Sequence, residues 1–154
     1  MTADDIEEQI YDWRRKHYPG VTDVECHRTI APELRAVLFT SIVEGEISNG
    51  GLPQLLWNTF HHWRAVLDDA EMGYQLFGAT QHCEAIRVFR TLFERYGSEC
   101  RHYMEQSSCG EWCGYAYDLM KSQHQKLFFT DSGYQKRKAW IAANEQRLLQ
   151  LVAA

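Results

Sequence analysis

Long apolar runs are missing from this chain. No stretch approaches the ~20 consecutive apolar residues that a membrane helix needs, so a spanning helix is excluded. Positive charge is also short. The 16 Lys plus Arg stand against 21 Asp plus Glu, a formal net charge of −5, which argues against a generic nucleic-acid binder, because such domains rely on a basic footprint. There is no Gly-rich phosphate loop, no G-x-S-x-G, no H-E-x-x-H and no Cys-His pairing in a recognisable context, so catalysis has no positive support. Strict apolar/polar alternation and β-branched enrichment are absent too, which leaves nothing to build a sheet. The N-terminal "MTADDIEEQIYDW" lacks both a basic start and an apolar core, so no leader is expected.

Cysteine is present in an odd number: Cys26, Cys83, Cys100, Cys109 and Cys113. Free thiols in a reducing, cytoplasmic setting are expected. Cys109 and Cys113 are four apart, with Cys100, His102 and His124 in the neighbouring sequence. The paired C-x2-C zinc signature is lacking, however, and Gly110 and Gly114 weaken any helix there. These thiols are read as small core residues, with no metal, no cofactor and no catalytic residue assigned. His61 and His62, near Asp68 and Asp69, point about 100° apart on a helix and do not converge on one ion. They are read as a solvated helix end.

What the chain does have is enough apolar material, 45% hydrophobic and 13% aromatic in 154 residues, to bury one core without disulfides. Residues 1–154 are therefore read as one all-α domain, a compact bundle of six to eight short helices. The first helix is expected from Ala3 to His17, capped by Thr2, with acids at its positive end, bases at its negative end and Ile6, Ile10 and Trp13 facing inward. Pro19-Gly20 ends it and opens a loop through Cys26 and His27. A second helix begins near Pro32 and stops at Asn49-Gly50-Gly51. A third restarts with Pro53 and carries Leu55, Leu56, Trp57 and Phe60. A further helix runs through Val66, Ala70 and Tyr74 to Phe77, closed by Gly78. The next is capped by Thr80 and ended by Gly97. Another is outlined by Trp112, Ala116, Leu119 and Leu127, and the last starts at Asp131 or Ser132, with Trp140, Leu148 and Leu151 inward.

The net charge comes wholly from the first 60 residues, which hold 10 acids and 5 bases, while residues 61–154 hold 11 of each. Within that region Asp4, Glu8 and Asp12 climb one face of the first helix at about 6 Å per step. Phosphates along a DNA strand fall every ~3.4 Å of axis on a backbone that winds around it, a comparable spacing. Acids at a helix start also complement the dipole, and Asp12 is placed to pair with Lys16. On these residues alone, a charged docking face and an ordinary solvated helix start both stay open.

The stretch "EISNGGLPQLLWN", Glu46 to Asn58, resembles the motif E-x-x-N-G-G-F-x-Q-F-F-x-N of a family of small bacterial helical proteins named after a DNA-mimic protein. Glu46, Asn49, Gly50, Gly51, Gln54 and Asn58 match outright, and Leu52, Leu55 and Leu56 replace aromatics. "LFGAT", Leu76 to Thr80, is similar to that family's I-G-A turn. The resemblance implies an all-helical, often dimeric domain, whose namesake uses a negative surface to occupy the DNA-binding face of a transcription factor. Read physically, Gly50 and Gly51 suit a helix cap and a tight reversal, a joint first and a binding site second. Gln54 and Asn58, on one face, are expected to meet open carbonyls at the end of the second helix, and Glu46 the amides at the start of the third.

Together these features predict a non-catalytic interaction domain in which Asp4, Glu8 and Asp12, joined by Glu44 and Glu46, meet a DNA- or RNA-binding protein through its basic face. Direct nucleic-acid or membrane contact is not expected. Two further readings stay open: an immunity-type inhibitor of a toxin nuclease, and an uncharacterised hydrolase with dispersed carboxylates and histidines.

Overall fold

The computed structural model describes residues 1–20, 22–106 and 122–153. Among these, seven α-helices and one 3-10 helix account for nearly all the secondary structure, and there is no strand. The helices are α1 (Ala3–His17), α2 (Asp23–Thr29), α3 (Pro32–Thr59), α4 (Trp63–Leu76), α5 (Thr80–Gln106), the 3-10 helix (Gln123–Phe129), α6 (Ser132–Ala143) and α7 (Glu145–Ala153). The all-α bundle expected from the sequence is the fold.

α3 is the axis of the bundle. Leu34, Ala36, Val37, Leu38, Phe39, Val43, Ile47, Leu52, Leu55 and Leu56 are all buried. A helix apolar on most of its circumference belongs inside a core, and the other elements pack around it. Its most extensive partner is α4. The two approach closely at Gly73, where an added Cβ would lie 2.7 Å from Thr40 Cγ2 and 2.8 Å from the Ala36 carbonyl oxygen. α1 lies on the outside, with Ile6 and Ile10 buried and contacts to α3, α6 and α7. Its start carries a complete capping box: the Thr2 side chain accepts from the Asp5 amide, and the Asp5 carboxylate accepts from the Thr2 amide at 2.7 Å.

Three boundaries differ from the sequence expectation. The segment through Cys26 and His27 is not a loop but the short helix α2, capped by a second box between Thr22 and Glu25, with Cys26 fully buried. α5 does not end at Gly97 but continues to Gln106. There Gly97 is buried facing Leu56, and burial of Phe93 and Cys100 on either side outweighs the ~1 kcal/mol that glycine costs within a helix. The C-terminal helix is two, divided at Asn144, whose side chain donates to the Trp140 carbonyl at 2.8 Å. The helix expected through Trp112, Ala116 and Leu119 lies outside the described residues, as do Cys109 and Cys113, while Leu127, placed at the end of that helix, stands in the 3-10 helix instead. No helix among the described residues is long and apolar enough to cross a membrane.

Candidate acidic face and the polar networks behind it

The carboxylate row of α1 is outward-facing. Asp4, Glu8 and Asp12 are all exposed, opposite the buried Ile6 and Ile10. They differ in what holds them. Asp4 accepts from Lys138 Nζ at 2.6 Å and from the Tyr134 hydroxyl at 2.9 Å, both on α6, and these hydrogen bonds pull its pKa below the usual carboxylate value. Asp12 pairs with Arg15 one turn on rather than with Lys16. Glu8 makes no ion pair or side-chain hydrogen bond among the described residues and is the uncommitted carboxylate of the three.

Glu44 and Glu46 do not continue this row. The Glu44 side chain, 15% exposed, turns inward, where its Oε2 meets Arg137 Nη1 at 2.5 Å and its Oε1 accepts from the Tyr74 hydroxyl at 3.0 Å. Arg137, 3% exposed, also lies 3.3 Å from Glu7, so one buried guanidinium ties α6 to both α1 and α3. Burial pushes the Glu44 carboxyl up despite Arg137, while the attraction of Glu44 and Glu7 holds the Arg137 guanidinium firmly charged against the opposing cost of burial. A glutamate one helical turn from an apolar stripe reads in sequence as solvent-exposed. Its partner lies 93 residues away on α6, which no spacing announces.

The Glu46 to Asn58 stretch forms a break inside α3. Gly50 (φ −153°, ψ 17°) and Gly51 (φ 70°, ψ −168°) leave helical geometry, and Pro53 stands in the first turn of the restarted helix. Glu46 spans the break by a different route from the one expected. Its Oε2 accepts from the side-chain amides of Gln54 at 2.8 Å and Asn58 at 2.7 Å, not from backbone amides, and Gln54 and Asn58 point their amides at this carboxylate rather than at open carbonyls. Leu52 N–H donates to the Gln125 side chain at 3.3 Å, so the 3-10 helix clasps the joint from outside. Asn49 stands exposed at the turn. The spacing of one acid and two amides thus forms a self-satisfied cluster: a carboxylate with two amide donors.

A second buried network escaped sequence reading. Asp69, 2% exposed, meets Arg35 Nη1 at 2.7 Å and His27 Nδ1 at 2.9 Å, joining α4, α3 and α2. Asp69 is raised by burial even with Arg35 beside it. His61 neighbours Arg101 at 3.1 Å instead of any carboxylate, and among the described residues no three His, Cys, Asp or Glu side chains gather as a metal site. Cys26, Cys83 and Cys100 are buried and form no disulfide with one another, and burial pushes Cys100 up to about 11.

A family model described as DMP19-like protein matches residues 28–144. The match takes in the Glu46 to Asn58 break, the Glu44–Arg137 and Arg35–Asp69 pairs and α6, and begins after α1, Glu7 and His27. No curated protein and no solved structure matches the chain.

Proposed function

We propose that this chain, which belongs to the DMP19-like protein family, works without catalysis as a DNA mimic, occupying the nucleic-acid-binding face of a basic protein such as a transcription regulator. The observation that carries this reading is the exposed row of Asp4, Glu8 and Asp12 on α1, in a chain whose net negative charge arises in its first 60 residues. Arginine and lysine side chains that otherwise hold phosphates meet these carboxylates and gain charge-assisted hydrogen bonds. Lys138 and Arg15 do not annul the row. Both pairs are open to solvent, where ion pairs are screened and hold weakly enough to exchange partners. Glu44 and Glu46 do not extend this row, since the first is committed to Arg137 and the second to Gln54 and Asn58.

The experiment is to recover the partner from the native host with the full chain as bait, then compare the wild type with Asp4→Lys, Glu8→Lys and Asp12→Lys combined. Binding should weaken at least tenfold, about 1.4 kcal/mol, with an unchanged helical spectrum. Unchanged affinity removes α1 from the interface. A partner that is a toxin nuclease rather than a regulator makes the chain an immunity-type inhibitor, with the same charge logic.

A further inference from the structure

Between α3, the end of the 3-10 helix and the start of α6 lies a cleft of about 250 Å³ lined by Ser41, Glu44, Ser48, His82, Asp131 and Tyr134, among others. Its inner wall is unusual in charge. Glu7 and Glu44 share the single guanidinium of Arg137, so two carboxylates face one cation and a net negative charge is left beneath the cleft. Asp131 stands exposed beside it, and its carboxylate makes no capping bond to α6 and no ion pair among the described residues.

The floor carries an unused polar group. His82 is 3% exposed and stacks against Tyr74 and Phe128, yet its ring nitrogens have no hydrogen-bond partner among the described residues. Burial, with a smaller contribution from the charge of Lys136, lowers it to about 4, so at neutral pH the ring is uncharged and keeps one acceptor nitrogen. The backbone of Gly133 packs closely on it: a Cβ there would fall 2.6 Å from His82 Nε2 and 2.9 Å from Glu44 Oε1, so any larger residue would displace the two side chains that face the cleft. The positive end of α6 is no anion site, because the Glu44 carboxylate already rests against its first turn.

We propose that this cleft is a binding site for a guanidinium group, the end of an arginine side chain supplied by the protein partner. A guanidinium has five donors and no acceptor, and is less strongly hydrated than an ammonium. It matches Glu44 Oε1, the free His82 nitrogen and the Asp131 carboxylate, and supplies the positive charge that the two carboxylates on Arg137 lack. Tyr134 lines the cleft and donates its hydroxyl to Asp4, so the site adjoins the first carboxylate of the α1 row. The inference rests on the proposed function only for the source of the arginine.

The test is a titration of the full-length protein with Nα-acetyl-arginine amide, followed through the His82 ring nitrogens and the Gly133 amide by NMR. Saturable shifts are expected at a dissociation constant of about 1 mM, an ordinary value for a single small group. Ser48→Phe, at an exposed position on the cleft rim, should weaken this at least tenfold at an unchanged melting temperature, and Asp131→Asn should weaken it several-fold. Shifts that fail to saturate, or that survive Ser48→Phe unchanged, overturn the site. Saturation by acetate or phosphate in place of the guanidinium overturns its chemistry. Tighter binding of agmatine, the decarboxylated free arginine, than of the capped arginine overturns the partner as the source. Unchanged partner affinity in the α1 triple variant, with the arginine titration intact, defeats the mimic reading and leaves the cleft standing.

Discussion

Gly51 and His82 show how single residues hold conformations and charge states that the chain does not favour by itself. Gly51 combines φ 70° with ψ −168°, a region closed to residues with a Cβ, whereas Gly50 has negative φ. The strain expected at the Asn49-Gly50-Gly51 turn therefore sits at the second glycine. Gly51→Ala should destabilise by about 1–3 kcal/mol in urea unfolding, with the Gln125 side chain 3.1 Å from the new Cβ adding to the cost. Gly50→Ala acts differently, by driving the Gln54 side chain away from Glu46. His82 carries a pH dependence. Its value falls from 6.5 to about 4 on folding, so the unfolded chain binds the extra proton between these limits. Stability is then full above pH 6.5 and is lost as pH falls toward 4, by up to about 3 kcal/mol. Unfolding measured across that window should show the loss, and His82→Phe should flatten it. A slope unchanged in His82→Phe would assign the effect to another group. Glu44, raised above 4.5 on folding, acts with the opposite sign, since its contribution is present below 4.5 and lost as pH rises through the raised value.

Between elements, two contacts decide the geometry. The crossing of α3 and α4 depends on Gly73 meeting Ala36 and Thr40. Gly73→Ala places a methyl 2.8 Å from the Ala36 carbonyl oxygen, so the helices must separate. A loss of about 1–3 kcal/mol is expected in chemical denaturation, and full stability would show that α4 slides without penalty. The seating of α6 on α1 and α3 depends on Arg137. Arg137→Met leaves Glu7 and Glu44 buried beside each other without a cation and should cost about 3–5 kcal/mol. Replacing all three together, Glu7→Gln, Arg137→Met and Glu44→Gln, should recover much of it, because the loss comes from uncompensated charge rather than lost packing. If the triple variant is no better than the single one, the guanidinium is needed for its shape. These contacts also explain the limits of sequence reading at this scale. The Thr22 to Glu25 capping box was legible and marks α2, yet the Pro19-Gly20 turn suggested a loop. Gly97 reads as a stop in sequence because Leu56, which it packs against, belongs to another helix.

For the whole molecule, charge is the property that a partner meets first. The net −5 is modest, and two of the sixteen cations, Arg35 and Arg137, are held by buried carboxylates. The charged feature proposed to meet the partner is the exposed row on α1. Association with a basic partner should be fast and should weaken steadily as salt is raised, since exposed charges are screened beyond ~8 Å at physiological ionic strength. Kinetic binding measured from low to high salt should show the change mainly in the association rate. Salt-independent binding would count against electrostatic mimicry and favour an apolar interface, for which Met1, Trp57, Leu76 and Phe129 are the exposed large side chains among the described residues.

The sequence by itself determined the helical class, the limits of α1 with its Thr2 cap, the break at Gly50-Gly51 and the outward placement of Asp4, Glu8 and Asp12. Each of these follows from periodicity, capping chemistry or glycine and proline within a few residues, and such forces act locally. Only the tertiary structure decided which carboxylates are available. Glu44 and Asp69 look in sequence like any surface acid, and their burial depends on Arg137 and Arg35 arriving from distant segments. The ionisation of His82 was likewise invisible, because it is set by burial against Tyr74, Phe128 and the closely packed Gly133, which meet only when α4, α5, the 3-10 helix and α6 are packed. The cost of desolvating a charge is a property of everything around it, and that surrounding is assembled by the fold.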